Sequence, residues 1–150
     1  MNFLNEMYLK IPAVSVNESF ARGTVAAFCV SANPTLEEIN DIKTAVSEAV
    51  TNCVVHGYRN KNGDIEIRAV LYDAALEIEI KDKGVGIENT QEAMQPFFTT
   101  KPEEERSGMG FTVMQAFMDE VDIVSSPGKG TAVRMKKYFA AAGEGAESDA

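Results

Sequence analysis

Apolar and polar residues alternate through Met7, Leu9 and Ile11 and stop at Pro12, the pattern of a half-buried strand ended by a residue that cannot donate to a ladder. The spacing then becomes helical through Phe20, Val25, Phe28 and Cys29, with Ser15 and Glu18 placed as a capping box. A second helix is predicted over "TLEEINDIKTAVSEAVTNCVVHGY". Thr35 and Glu38 cap it, Ile39, Ile42, Val46, Ala49, Val50 and Cys53 stripe it, and Gly57 closes it as a C-terminal cap. Two alternating segments follow, Ile65, Ile67, Ala69, Leu71 and then Leu76, Ile78, Ile80, joined by a "DAA" turn into a hairpin. From Glu88 to Gly110 the periodicity fades and Pro96 and Pro102 interrupt it, which in a compact domain marks a lid or binding loop. Helical spacing returns through Phe111, Val113, Met114, Phe117 and Met118, and two strands around "PGKG" end the pattern.

Three helices and about five strands, with the strands adjacent in pairs rather than alternating with helices, predict an α/β two-layer sandwich. Its sheet is mixed and mostly antiparallel, with the helices on one face. A chain of 150 residues is long enough for one core, so residues 1–139 are read as a single domain. The small, acidic stretch 140–150 is read as a disordered tail.

Charge removes several functions. With 14 basic and 23 acidic side chains the net charge is -9, which repels nucleic acid and anionic membrane alike. A small anion must then be held locally, by helix termini, backbone N–H groups or a metal. No apolar run is long enough to span a membrane, and "MNFLNEMYLK" lacks a basic stretch followed by an apolar core, so a cytoplasmic protein is expected. Cys29 and Cys53 lie in apolar runs and are read as buried free thiols.

Candidate chemistry begins inside the second helix. Glu48 and Asn52 stand four apart, on one face, with His56 one turn further on. Singly, such a pair is ordinary on a solvated helix face. Three glycine-bearing stretches give it company: "DKGVGI" at the end of the hairpin, "RSGMGF" at a helix entry, and "PGKGT" before the last strand. Gly84 and Gly86 allow a sharp turn and close approach to a flat ligand, and the N–H groups around Ser107, Gly108, Met109 and Gly110 can grip phosphate.

In this order the four pieces resemble the N, G1, G2 and G3 boxes of the superfamily that joins gyrase, heat-shock chaperones, histidine kinases and mismatch-repair proteins. Over roughly residues 5 to 138, "NESFAR", "IKTAVSEAVTNCVVHGY", "PFFTTKPEEERSGMGF" and "MDEVDIVSSPGKGT" are similar to the bacterial anti-sigma serine kinases, those of sporulation above all. The resemblance implies ATP, turned over to ADP, with Mg2+, a serine acceptor on an anti-anti-sigma protein, and a sigma factor held by the same surface. It makes Asn52 the metal ligand, Glu48 a candidate general base and Asp82 the reader of the adenine amine, with Thr131 in support and Gly84 and Gly86 beneath the base. Thr99, Lys101, Ser107, Gly108, Met109, Gly110 and Phe111 border the phosphates, and Arg106 is either the cation that stabilises the transferring phosphoryl group or a partner for the neighbouring glutamates. Phe97 and Phe98 are a latch or plain core, and Arg22 is a contact for a partner or an ordinary helical arginine.

Two other functions remain open at this point. One is a nucleotide-gated binding module without phosphotransfer. The other is the catalytic fragment of a histidine kinase, which needs an acceptor histidine on a preceding helix; the one histidine, His56, lies on the nucleotide helix and suits the dipole at its end. A homodimer through the first strand is expected, since an exposed edge invites pairing across a twofold axis.

Overall fold

The computed structural model describes residues 1–94 and 110–140. Its strands are β1 (Phe3–Pro12), β2 (Asp64–Tyr72), β3 (Ala75–Asp82), β4 (Glu120–Ser125) and β5 (Thr131–Tyr138). Its helices are α1 (Val16–Phe28), α2 (Leu36–Asn52), the single turn α3 (Thr90–Ala93) and α4 (Gly110–Phe117). The strands form one sheet in the order β1-β2-β3-β5-β4, and each of the four pairings is antiparallel. The expected sandwich is therefore present, with no parallel pair among the described residues. Residues 95–109, which carry most of the predicted lid, and the tail 141–150 lie outside the described residues.

Alternation decides which sheet face meets the helices. Ile65, Ile67, Ala69 and Leu71 of β2 and Leu76, Ile78 and Ile80 of β3 are buried, as are Val133 and Met135 of β5. They pack against Ile42, Val46, Ala49 and Val50 of α2, the central helix between α1 and α4. Each large aliphatic side chain buried this way contributes about 1.5–3 kcal/mol relative to exposure. The opposite sheet face carries cross-strand ion pairs, Glu6 with Arg68 at 2.7 Å, Glu79 with Arg134 at 2.8 Å and Glu77 with Lys136 at 3.2 Å. That polar face explains why β2 and β3 alternate instead of reading as continuous apolar runs.

Three local expectations are corrected. Thr35 is extended (ψ 163°) and forms the capping box with Glu38, whereas Ser15 is already helical (φ -58°, ψ -34°) and its hydroxyl makes no cap bond. An N-cap must be extended for its oxygen to turn back on the first N–H groups. Glu18 is instead drawn sideways, to Arg22 at 3.1 Å and Thr51 at 3.2 Å. The hairpin turn holds two residues, Asp73 and Ala74, because Tyr72 pairs with Ala75.

The third correction bears on the site. α2 is not capped by Gly57; it widens into a π-helical turn over Cys53–Gly57, with Tyr58 N–H reaching the Cys53 carbonyl at 2.9 Å. The left-handed residues that turn the chain away are Arg59 (φ 54°) and Asn60 (φ 63°). Such turns insert one residue into a helix and redirect the side chains around it.

Candidate functional site

Asp82 ends β3 in phase with Leu76, Ile78 and Ile80, so the strand's own alternation carries a carboxylate to the helix side of the sheet. It is 5% exposed. Its Oδ1 accepts the Gly84 N–H at 2.9 Å, and the Cys53 thiol and the Thr131 N–H also donate to it. Burial raises its pKa above the ordinary aspartate value, and these three donors oppose that rise. Cys53 is pushed up in turn, first by its own burial and then by the neighbouring Asp82 charge.

The loop after β3 is tied on both sides. Val85 N–H donates to the Gly57 carbonyl at 2.9 Å, and a Cβ on Gly84 would lie 2.0 Å from that carbonyl oxygen, so only glycine admits the approach. Gly86 has φ +77°, a conformation that side chains rarely adopt. On the far side Gly128 N–H donates to the Val85 carbonyl at 2.7 Å, joining the loop to the turn between β4 and β5. "DKGVGI" and "PGKGT" are thus two walls of one structure.

Between these walls, the end of α2 and the start of α4 lies a cleft. Asn52, His56, Asp82, Gly86, Phe111 and Thr131 border it. The Asn52 Nδ2 is buried and has no hydrogen-bond partner among the described residues, while the carboxamide lies against Gly110, where a Cβ would stand 3.0 Å from Nδ2 and 3.1 Å from Oδ1. A buried amide with unmet hydrogen bonds costs about 1–3 kcal/mol, which a ligand in the cleft can recover. A carboxyl and a carboxamide therefore share the cleft.

Of the residues singled out in the sequence, Asn52, Asp82, Gly86, Gly110, Phe111 and Thr131 come together here, and Gly84 supports them from the loop. Glu48 is half-buried one turn before Asn52. Arg22 is half-buried at the junction of α1 and α2, within 3.4 Å of the Ser47 hydroxyl as well as bonded to Glu18. Thr99, Lys101, Arg106, Ser107, Gly108 and Met109, with Phe97 and Phe98, lie outside the described residues.

Three neighbours of the cleft were given no role at the site from the sequence. Cys53 reads as one more apolar position, yet its thiol meets Asp82. Arg59 borders the cleft from its left-handed turn. Ser125 ends β4 and bonds the loop, the β4–β5 turn and Thr131 together. The one signal for them is positional, since each sits beside a residue that the motifs do mark.

The profile of the histidine kinase-like ATPase domain matches residues 12–137, nearly the whole sandwich and every wall of the cleft. Fold and site together define a domain of that class. Within it, proteins named anti-sigma F factor are similar over most of their length. That of Caldanaerobacter subterraneus subsp. tengcongensis is 62% identical over 93% of this chain and 97% of its own, and that of Clostridium acetobutylicum is 58% identical over 91% and 95%. The chain belongs to the anti-sigma F factor family. Among solved structures, the RsbU and RsbW domains of a Mycobacterium tuberculosis protein superpose with a TM-score of 0.65 at 19% identity, over 91% of this chain and 32% of that one, a likeness of fold.

Proposed function

We propose that the cleft binds ATP with Mg2+, that the chain transfers the γ-phosphoryl group to a serine of an anti-anti-sigma protein, and that it sequesters a sporulation sigma factor. The observation that carries this reading is the pairing, in one cleft, of a buried carboxylate with a carboxamide whose buried Nδ2 has no partner among the described residues. The names of the relatives support the sigma factor as partner.

Asp82 accepts the exocyclic amine of adenine, Thr131 adds a second polar contact, and Gly84 and Gly86 let the base lie against backbone. Among the described residues no three His, Cys, Asp or Glu side chains gather to hold a metal. The Asn52 carboxamide oxygen would hold a magnesium ion together with phosphate and water, the sparse protein ligation that this ion favours. When bound, the ion neutralises and aligns the phosphate oxygens. Glu48, on the same helix face, takes the proton as the acceptor serine Oγ bonds to the γ-phosphorus and the bond to the bridging oxygen of ADP breaks.

The remaining assignments rest on the motif. Arg106 stabilises the charge on the transferring group, while Thr99, Lys101, Ser107, Gly108, Met109, Gly110 and Phe111 border the phosphates. Arg22 supplies a partner contact near the active helix face, and β1, at an edge of the sheet, pairs with a second copy in a cytoplasmic homodimer. Light scattering should return twice the chain mass; a monomer overturns the dimer alone.

Incubation with labelled ATP, magnesium and an anti-anti-sigma protein tests the whole proposal. Label should appear on one serine, and Asn52→Ala should abolish it while the protein stays folded. Transfer at the wild-type rate by that variant refutes the metal assignment.

A further inference from the structure

Ser125 makes three hydrogen bonds with one side-chain oxygen. Ile87 N–H reaches its Oγ at 2.7 Å, its Oγ lies 2.8 Å from the Gly130 carbonyl oxygen, and 2.8 Å from the Thr131 Oγ1. A hydroxyl has one proton to give and two lone pairs to offer.

The protons can be assigned by elimination. A carbonyl oxygen only accepts, so the Ser125 proton lies toward Gly130. One Ser125 lone pair takes the Ile87 N–H. The contact with Thr131 must then be a bond that Thr131 donates, since the Ser125 proton is already committed. Thr131 thereby spends its only proton inside the protein. What it can offer the cleft is lone pairs.

That polarity matters because of the neighbour. Thr131 faces Asp82 across the β3–β5 ladder, and both border the cleft. Two acceptors side by side suit an amino group, which carries two protons, directly or through one water. An oxo group at the same edge would set an acceptor against acceptors, a mismatch that sites of this kind reject strongly.

We infer that Ser125 is a positioning residue for base selection: by taking the Thr131 proton it fixes that hydroxyl as an acceptor beside Asp82, so the cleft takes a 6-amino purine and refuses a 6-oxo one. The inference rests on the cleft being a purine nucleotide site. Without Ser125, the Thr131 hydroxyl turns freely and can donate to an oxo group.

The test compares ATP with inosine triphosphate, in which a 6-oxo group replaces the 6-amino group and N1 carries a proton, by calorimetric titration of the full chain with magnesium present. Wild type should favour ATP, and Ser125→Ala should narrow the preference about tenfold, chiefly by gaining affinity for inosine triphosphate. Ser125→Thr, which keeps the hydroxyl, should restore it. Thr131→Val should narrow the preference by itself, and adding Ser125→Ala to it should change the ratio no further. Equal losses for both nucleotides in Ser125→Ala would reduce Ser125 to a strap between loops and overturn the inference. The same narrowing on the Thr131→Val background also overturns it. Should Ser125→Ala not fold, an unchanged preference in Thr131→Val alone suffices to reject it. A wild type that binds both nucleotides equally sinks the inference and leaves the nucleotide site standing, whereas a wild type that binds neither removes both.

Discussion

A Cβ placed on Gly57 would stand 2.8 Å from the Oδ2 of Asp82, so the buried carboxylate occupies the space that a side chain on the π-helical turn would fill. Gly57 lacks a positive φ, and its backbone conformation alone would admit alanine. Gly57→Ala must displace Asp82 or the end of α2, and either movement breaks the bond from Gly84 N–H. A stability loss of about 1–3 kcal/mol is expected, with at least about a tenfold loss of ATP affinity. Denaturant melts and calorimetry measure the two, and unchanged values in both would show that the carboxylate is not confined as described.

Asp82 gives the stability of the free protein a defined pH slope. Burial holds its carboxyl above the ordinary 3.8, so the folded state binds this proton more tightly than the unfolded chain does. The associated stability is fully present below 3.8 and is lost as pH rises through the raised value. Asp82→Asn has no proton to lose there. The melting temperature of wild type minus that of Asp82→Asn should therefore fall as pH increases, and a difference that grows with pH contradicts the buried, proton-favouring environment.

The fold was largely legible because one face of the sheet is covered and the other is polar, so period-two alternation survives in β2 and β3. The same alternation already pointed Asp82 inward, two residues beyond Ile80. Ser15 misled because a capping box is a sequence pattern, while the bond requires an extended backbone that Ser15 lacks. Gly57 misled in the other direction: a glycine near a helix end suggests a left-handed cap, but here its small size serves a contact with β3, a residue separated from it by the whole hairpin. Ser125 was invisible for a related reason: Thr131 is its register partner across the β4–β5 ladder, but the bond from Ile87 is set by how two loops meet.

Gly110 opens α4 directly against the Asn52 carboxamide, with a Cβ position 3.0 Å from Nδ2. Alanine suits a helix better than glycine by about 0.5–1 kcal/mol. Gly110→Ala should accordingly keep or raise the melting temperature while turning Asn52 and weakening magnesium-dependent ATP binding several-fold. Scanning calorimetry and titration separate these opposed effects. Loss of both stability and affinity would mean that the contact is general packing and not specific to the carboxamide.

Both thiols should be inert in the folded protein. Cys29 is fully buried, with its pKa pushed up to about 12, and Cys53 is 3% exposed beside the Asp82 charge, which raises it further. The reactive species is the thiolate. Alkylation by iodoacetamide at neutral pH should follow unfolding, with both sites modified together in denaturant and neither before it. Rapid modification of Cys53 in the native chain would contradict the closed floor beneath Asp82.

Glu48 separates the kinase from a binding module that uses nucleotide only to change its grip. It stands four residues before Asn52 on α2, outside the ring of residues that border the described cleft. Its removal should therefore leave nucleotide affinity near the wild-type value. Proton abstraction by a placed carboxylate contributes about a hundredfold to ten-thousandfold in rate. Glu48→Gln, which keeps the shape and loses the base, should then bind ATP within about threefold of wild type while transfer to the anti-anti-sigma serine falls by at least about a hundredfold. Binding by calorimetry and transfer by single-turnover labelling give the two numbers. If transfer persists in Glu48→Gln, another group accepts the proton; if wild type itself transfers nothing while ATP alters its hold on a sigma factor, the chain is the binding module.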